Sequence, residues 1–240
     1  MPRVSKFSHL FLLATVLTSL IVVTVGCSSS SSSSSSTKIR FVNASLSSTI
    51  TAVNVLIDGT SVATGLANGG TVTAYLPVTS GARHIQIQDP ATLQFLIDTT
   101  PTINSGNTTY IFKDFITNTN TPLILTDDNS APTSGSFKVR AVNLAPSLNG
   151  GVDVYVEPST TTTLSGLSPT FSGLPFPPTV ASSYSTNTAG SWEVVFTQAG
   201  AQGNLAGGSA IAFAAGQVGT ELIVEDTSGN YTEVSLVDVK

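Results

Sequence analysis

The side chains that could carry out acid–base chemistry are few and widely spaced in this chain of 240 residues. His84 alternates with glutamines on a predicted strand, whereas Ser-His-Asp chemistry needs an acid that orients the base. Asp153 and Glu157 share one face of another predicted strand and lie about 13 Å apart at about 3.3 Å per residue. That separation is long for the two carboxylates of a glycosidase. We therefore predict no enzyme, no catalytic residue and no cofactor.

Two acidic clusters contain the oxygen ligands that calcium prefers. The first is Asp127-Asp128-Asn129, and the second joins Glu225 and Asp226 to Asn230. A calcium loop alternates its acids around a turn glycine, and neither cluster has that alternation. Turns closed by Asp or Asn side chains explain both clusters more simply. We expect no metal site, and a bound ion stays the alternative.

Four aromatic residues could form a platform on which a sugar ring stacks, namely Tyr75, Tyr155, Tyr184 and Trp192. Trp192 shares a strand face with apolar residues, which predicts a place in the core or at its rim. Tyr155 lies on the face opposite its apolar neighbours, so it is the better candidate for an exposed platform.

Cys27 is the only cysteine of the chain, and the residues before it indicate export. Residues 1–9 carry two basic side chains other than histidine and no acid, and residues 10–25 are uncharged and rich in Leu, Val and Ile. This is the layout of a signal peptide. The apolar run is shorter than the roughly twenty residues that a membrane-spanning helix needs. An uncleaved amino-terminal anchor helix is the alternative.

Residues 24–27, Thr-Val-Gly-Cys, resemble the lipobox of bacterial lipoproteins, although Thr24 stands where that motif usually has Leu. The resemblance implies cleavage after residue 26 and lipidation of Cys27, whose several acyl chains would give stable membrane anchoring. Ser28 follows the cysteine where an aspartate would signal retention in the inner membrane, so the outer membrane is the expected location. Nine serines, at 28–36, then form a predicted flexible spacer.

Composition limits the partners of the mature chain. Removal of residues 1–26 takes away two basic residues and no acid, so the net charge changes from −5 to −7. An acidic surface argues against binding nucleic acid or anionic lipid. Because no second thiol exists, the chain cannot form an internal disulfide, and its stability must come from packed cores.

The chain repeats itself with a period of about 100 residues. Five landmarks return in the same order: 38–43 as 138–143, 53–58 as 152–157, Tyr75 as Tyr184, Ile85 and Ile87 as Val194 and Phe196, and Gly106 as Gly216. A period this long indicates a duplicated domain and not a solenoid. The repetition includes Arg40 and Arg140, which predicts a repeated salt bridge or a solvated face, with an acidic partner as the alternative.

The pattern inside each copy favours strands. Val53, Val55 and Ile57 alternate with Asn54, Leu56 and Asp58, and Asp58-Gly59 is a tight-hairpin signal. Further predicted strands lie at 71–77, 83–88, 93–97, 107–115, 121–126, 181–186, 191–198, 210–214, 219–226 and 231–238. Residues 158–180 are a proline-bearing insertion of the second copy, which we predict to be a loop or an edge segment.

These landmarks resemble the bacterial domain-of-unknown-function family numbered 4397, whose members occur in envelope and secreted proteins, often in tandem. The matching segments are Ile39–Ser45, Val139–Pro146, Asp153–Val156, Ala189-Gly190 and Ala215-Gly216. Copy one departs from the family pattern, with Asn54 in place of the aspartate and Leu56 in place of the tyrosine. The resemblance implies an Ig-like sandwich and no established activity.

Together these observations predict an all-β protein with two tandem Ig-like antiparallel β-sandwich domains. The expected boundaries are a signal peptide at 1–26, lipidated Cys27 with its serine-rich linker at 27–37, a first domain at 38–128, a linker at 129–135 and a second domain at 136–240. The expected function is that of a lipid-anchored cell-envelope protein with a structural or interaction role, periplasmic or surface-facing. Its expected partners are the membrane, through the anchor, and an envelope protein or glycan. The alternative is a binding module for extracellular polysaccharide or peptide.

Overall fold

The computed structural model describes residues 37–45, 47–113, 121–226 and 228–239. Cys27, the signal peptide and the serine tether lie outside these residues, so their roles stay predictions. Residues Ser35–Lys240 form one compact unit. We call residues 37–127 the N-half and residues 136–239 the C-half. Among the described residues, no helix has both the length and the apolar character needed to span a membrane.

The N-half consists of short strands and turns. Its strands are β1 (Lys38–Asn43), β2 (Ala52–Ile57), β3 (Thr60–Ala67), β4 (Thr71–Val72), β5 (Leu76–Pro77), β6 (Gly81–Ala82), β7 (Ile85–Gln88), β8 (Phe95–Thr99), β9 (Thr102–Ile103), β10 (Asn107–Phe112) and β11 (Leu123–Asp127). The N-inner sheet has the order β11-β10-β1-β4, with β5 also paired to β1, and the N-outer sheet has the order β3-β2-β7-β8. Strands β6 and β9 form a separate two-stranded ladder.

The C-half repeats this plan with longer strands. They are β12 (Ser136–Leu144), β13 (Val152–Pro158), β14 (Phe171–Leu174), β15 (Ser185–Thr188), β16 (Gly190–Gln198), β17 (Asn204–Gly207), β18 (Ile211–Phe213), β19 (Val218–Glu225) and β20 (Tyr231–Val239). The C-inner sheet has the order β15-β12-β19-β20, and the C-outer sheet has the order β14-β13-β16-β17, with β18 also paired to β16. One 3₁₀ turn, at Pro146–Leu148, is the only helical element among the described residues.

The predicted all-β sandwich fold is therefore confirmed, with one addition. The first strand of each half pairs in parallel with the strand before the last, β1 with β10 and β12 with β19, while every other pair in these sheets is antiparallel. A hairpin cannot join parallel neighbours, so each pair needs a long crossover. In each half, all the other strands except the last lie between the two paired strands in sequence and make that crossover.

Each half has its own core between its inner and outer sheets. In the N-half, Val53, Val55 and Ile57 of β2 face Phe41 and the other apolar residues of the inner sheet. The valines of β13 do the same in the C-half. The alternation predicted for both strands is confirmed. Asp58 and Gly59 have positive φ angles of 50° and 77°. The hairpin turn between β2 and β3 requires such angles at both positions.

A third apolar cluster joins the two halves. It contains residues from both inner sheets: Val42, Ala44, Ile111, Leu123, Leu125, Val142, Leu144, Leu222, Val224 and Leu236. The two inner sheets thus pack against each other, and the unit is a stack of four sheets with three apolar layers between them. This packing explains why β1, β10, β12 and β19 are buried along almost their whole length, since a strand covered on both faces has no solvated side.

The proline-bearing insertion, 158–180, contains the edge strand β14, as predicted. Among the described strands, β14 pairs only with β13, at the edge of the C-outer sheet. Pro158 is the last residue of β13, so it ends the ladder with β16 and does not interrupt it.

Gly70 lies at a point where the two halves are in close contact. It lies in the N-half with φ +90°, and a Cβ atom there would overlap Cγ1 of Val234 in the C-half. We expect Gly70→Ala to lower the free energy of unfolding by about 1–3 kcal/mol more than Gly59→Ala does. Gly59 has a similar φ of +77° and no atom within 4 Å of its Cβ position, so it controls for backbone strain.

Urea unfolding of both variants measures the difference. The double variant Gly70→Ala/Val234→Ala should recover part of the loss, because it removes the methyl groups that clash. Equal destabilisation by Gly70→Ala and Gly59→Ala would contradict the packing of the halves at this point.

Candidate functional site

Arg40 of the N-half is buried at the junction of the two inner sheets and binds the last strand of the C-half. Its Nε donates to Thr109 Oγ1 at 2.8 Å, and its Nη1 donates to the Val237 carbonyl at 3.0 Å. Its Nη2 forms an ion pair with Asp238 Oδ1, and the side chains of both partners are almost fully buried. Arg40 of the N-half thus holds strand β20 of the C-half through an ion pair and a backbone hydrogen bond.

Arg140 makes the reciprocal set of contacts. Its Nε donates to Thr220 Oγ1 at 3.0 Å, its Nη1 donates to the Thr126 carbonyl at 2.9 Å, and its Nη2 pairs with Asp127 Oδ1. Arg140 and Thr220 belong to the C-half, and Thr126 and Asp127 end the N-half. The repeated arginines therefore form a repeated buried salt bridge, the first of the alternatives that the sequence left, and each bridge crosses between the halves.

Threonine and tyrosine hydroxyl groups donate further hydrogen bonds to the two aspartates. Asp127 accepts from Thr109 Oγ1 at 2.6 Å and from the Tyr75 hydroxyl at 2.7 Å. Asp238 accepts from Thr220 Oγ1 at 2.9 Å and from the Tyr184 hydroxyl at 3.4 Å. We call these eight residues the reciprocal network: Arg40, Tyr75, Thr109, Asp127, Arg140, Tyr184, Thr220 and Asp238.

Each tyrosine ring also covers a guanidinium group. The Arg40 guanidinium carbon lies 4.8 Å from the centroid of the Tyr75 ring, and that of Arg140 lies 5.0 Å from the centroid of Tyr184. Burial raises the pKa of both tyrosines, so their hydroxyls stay protonated and donate to the aspartates. Neither ring is available as an exposed sugar platform.

The two remaining aromatic candidates are also in packed positions. Trp192 contacts the rim of the C-half core, where its ring lies 5.5 Å from that of Phe137, and its Nε1 donates to the Thr188 carbonyl at 2.9 Å. The core-rim position predicted for Trp192 is confirmed. Tyr155 was expected on an open sheet face and is 3% exposed, so that expectation is wrong.

The insertion explains the burial of Tyr155. Contacts anchor it across the outward face of the C-outer sheet: Thr170 Oγ1 accepts from the Val156 amide at 3.0 Å, and the Leu164 carbonyl accepts from Gln202 Nε2 at 2.8 Å. On the same face of the sheet, Val195 and Thr197 are buried as well. Proline and serine content predicts a loop, but it does not show which sheet face the loop covers.

The carboxylate of Asp153 holds neighbouring backbone segments together. Its Oδ1 accepts from the Gly173 amide at 2.7 Å and its Oδ2 from the Gly200 amide at 2.8 Å, which joins β13 to β14 and to the turn after β16. In the N-half, Asn54 Oδ1 accepts from the Gly65 amide at 3.0 Å. The amide of Asn54 thus binds a backbone N–H as the acid does. Both Asp153 carboxylate oxygens accept backbone hydrogen bonds, which argues against a catalytic role.

His84 forms an exposed pair with Asp98, with 2.6 Å between Nε2 and Oδ1. Asp98 also accepts from Gln86 Nε2 at 3.0 Å. Hydrogen bonds lower the pKa of the Asp98 carboxyl group, and the one from Gln86 has a larger effect than the one from His84. No Ser or Thr hydroxyl bonds to His84 among the residues that the structure describes. The arrangement is a surface contact between β7 and β8, and it offers no nucleophile for triad chemistry.

The acidic clusters form turns and ion pairs. Asp226 Oδ1 accepts from the amides of Ser228 and Asn230, both at 2.8 Å. Such bonds define an Asx turn. Asp128 pairs with Lys138 at 2.7 Å, and the hydrogen bond from Lys138 holds the Asp128 pKa down at about 2. Across the described ranges, no three His, Cys, Asp or Glu side chains converge as a metal centre would need.

A polar groove lies between the insertion and the C-outer sheet. It has a volume of about 320 Å³, and its walls are Thr161, Thr162, Thr163, Leu164, Glu193, Val195, Gln202, Asn204 and Gly208. Glu193 is directly opposite Glu157 on the neighbouring strand. Burial, and then the charge of Glu193, raises the pKa of Glu157. The sequence points to Glu157 but not to Glu193, because only the pairing of β13 with β16 brings the two acids together.

Two further acids of the C-half were not predicted. Glu221 is 1% exposed and bonds to Ser235, and burial raises its pKa to about 8. Burial also raises the pKa of Glu233, to about 7, and one of its oxygens is buried without a partner. Glu221 lies where the equivalent register of the N-half has buried Tyr110. A charged residue in an otherwise apolar alternation was the signal available in the sequence.

Three solved structures are loosely similar to this chain. Family 41 carbohydrate-binding modules from streptococcal virulence factors match with 10% identity and a TM-score of 0.26, over 82% of this chain and 97% of theirs. A family 26 module of Eubacterium rectale Amy13K, solved with maltoheptaose, has 13% identity and a TM-score of 0.23, over 84% and 95%. A leucine-rich repeat protein from Bacteroides thetaiotaomicron has 16% identity and a TM-score of 0.20, over 76% and 25%. Superpositions this loose carry no argument about a ligand.

The family comparison is more informative. No curated protein matches the sequence. The family described as a domain of unknown function, DUF4397, matches residues 37–155, which span the N-half and the first strands of the C-half. The resemblance inferred from the sequence is thereby confirmed for residues 37–155, which carry the pattern of the DUF4397 family.

Proposed function

We propose that this chain is a non-enzymatic, lipid-anchored protein of the bacterial cell envelope, built from two tandem copies of the family sandwich. Its role is structural or interactive. The observation that carries this role is the reciprocal network, in which each half buries its arginine against an aspartate of the other half. The two buried ion pairs join the two halves to each other. Such a unit acts as one stiff body on a membrane tether.

The anchor is tested on the full chain in a Gram-negative host fed an alkyne-labelled fatty acid. We expect wild-type protein to take up label and to partition into detergent, and Cys27→Ser to do neither. The variant Ser28→Asp should keep the label but move to the inner-membrane fraction. Mass spectrometry that finds an intact leader and an unmodified thiol would contradict the proposed location.

The second candidate is recognition of an extracellular polysaccharide or peptide. The groove in the C-half favours it, because the insertion that forms one wall has no counterpart in the short Asp58-Gly59 hairpin of the N-half. Binding sites are concave and combine a few polar groups with a preformed shape. Binding to surface polymers is compatible with the anchored, non-enzymatic role, so the two candidates differ only in whether the body has a ligand.

A further inference from the structure

We propose that the polar groove of the C-half binds a carbohydrate, with Glu193 as the main acceptor for sugar hydroxyl groups. This inference deepens the second candidate function and rests on it. It assigns the ligand class and the residues that contact it.

The groove is preformed. Its outer wall, residues 161–164, is fixed at its end by the hydrogen bond from Gln202 to the Leu164 carbonyl. Ser159 anchors the start of the insertion to Ser191, with 2.8 Å between the two hydroxyl oxygens. Thr163 Oγ1 accepts from the Ser165 amide at 3.1 Å, which shapes the turn that follows. A site held in this way loses little conformational entropy when a ligand binds.

The polar groups match a ligand that both donates and accepts hydrogen bonds. Glu193 is half-buried, and no hydrogen bond from the described residues occupies its carboxylate, which therefore has acceptor capacity to spare. The hydroxyls of Thr161 and Thr162 and the amide of Asn204 can donate as well as accept. Sugar hydroxyl groups have the same dual character. Leu164 and Val195 supply the small apolar surface that the C–H groups of a sugar ring would cover.

The charge pattern supports a neutral ligand with hydrogen-bond donors. Glu157 and Glu193 lie side by side, and the described ion pairs contain no base that neutralises either. An anionic ligand is therefore disfavoured. Only Glu193 lines the groove as a carboxylate. One carboxylate is too few for calcium, which takes about six to eight oxygen ligands. Hydroxyl donors from a sugar would relieve the repulsion between the two acids without an ion.

The groove volume of about 320 Å³ limits the length of ligand that it can hold. Because this volume is at the small end of ligand pockets, we expect one short stretch of a polymer to occupy it. The experiment uses the full chain in detergent and a panel of soluble hexasaccharides made of glucose, xylose, mannose or N-acetylglucosamine. Isothermal titration calorimetry measures binding of each sugar, and of calcium chloride alone.

We expect at least one hexasaccharide to bind. Glu193→Gln should weaken that binding by about 10-fold or more, because a neutral amide oxygen accepts a sugar hydroxyl more weakly than a carboxylate does. Thr162→Val should weaken it several-fold. Glu225 is the last residue of β19 and does not line the groove, so the control variant Glu225→Gln should bind as wild type does. Melting temperatures of all variants confirm folding.

Three outcomes would overturn the assignment. Sugar binding that Glu193→Gln leaves unchanged would place the ligand elsewhere, and the binding function would survive without this groove. Calcium binding that depends on Glu193, without any sugar binding, would make the groove an ion site. If no hexasaccharide of the panel binds, the groove is not a sugar site and the protein does not recognise these carbohydrates. The proposed anchored structural role is unaffected by that result.

Discussion

Arg140→Met is expected to lower the free energy of unfolding of the Ser35–Lys240 unit by about 3–5 kcal/mol. The substitution keeps most of the apolar volume but leaves Asp127 as a charge whose side chain has no solvent exposure. Removing one partner of a buried ion pair costs more than the pair contributes, since the other charge keeps its desolvation penalty. Urea unfolding followed by far-UV circular dichroism measures the loss.

Two variants make this prediction specific. Arg83→Met breaks the surface pair with Asp58, in which the two side chains are 25% and 48% exposed. Because water screens that pair, its loss should cost under about 1 kcal/mol. The double variant Arg140→Met/Asp127→Asn should lose less than Arg140→Met alone, because the neutral amide has no buried charge to compensate. A loss from Arg140→Met no larger than that from Arg83→Met would refute the energetic role of the reciprocal network.

Glu221→Gln is expected to stabilise the protein at pH 8 by as much as about 4 kcal/mol. The pKa of Glu221 is raised from 4.5 in the unfolded chain to about 8 in the folded protein, so the folded state holds its proton more tightly. The stability that this proton provides is complete below pH 4.5 and is lost as the pH rises through 8. Glutamine keeps the hydrogen-bonding shape and never ionises, so the variant should not lose stability in this way.

The measurement is urea unfolding between pH 5 and pH 8. Wild-type stability should fall across this window, helped by Glu233, whose pKa is raised to about 7 with the same sign. Glu221→Gln should flatten most of the slope. Glu225→Gln, on the same strand, should leave the slope as it is in the wild type. A wild-type stability that is level or rising across this range would show that Glu221 is not buried as described.

Local patterns predicted the sandwiches well. Alternation in 53–57 marks a strand with one buried face, and the Asp58-Gly59 turn follows from backbone chemistry alone. Alternation in 152–156 marks the core-facing side of β13 correctly, but the opposite side is buried as well. The parallel pairing of β1 with β10 was not predictable in this way, because hydrophobic period reports which side is buried and not which neighbour is paired. Strand β17 was also missed, since Asn204 and Gly207 read as turn residues.

The contact between the two halves could not be predicted from the sequence, for a different reason. Arg40 and Asp238 are polar residues in ordinary strand alternation, and polar positions normally indicate a solvated face. Here that face is buried against its counterpart. The repetition of Arg40 as Arg140 was the visible clue, but only the structure shows that each arginine reaches the aspartate of the opposite half. The groove was likewise invisible, because the sheet face that the insertion covers depends on tertiary contacts.

The pairing of Arg40 with Asp238 spans 198 positions of the chain. Until the last strand of the C-half is in place, Arg40 lacks its carboxylate partner and the apolar face of the N-half inner sheet is uncovered. Exposed apolar surface makes a partly folded chain prone to aggregation, so we expect the two halves to fold together and not one after the other.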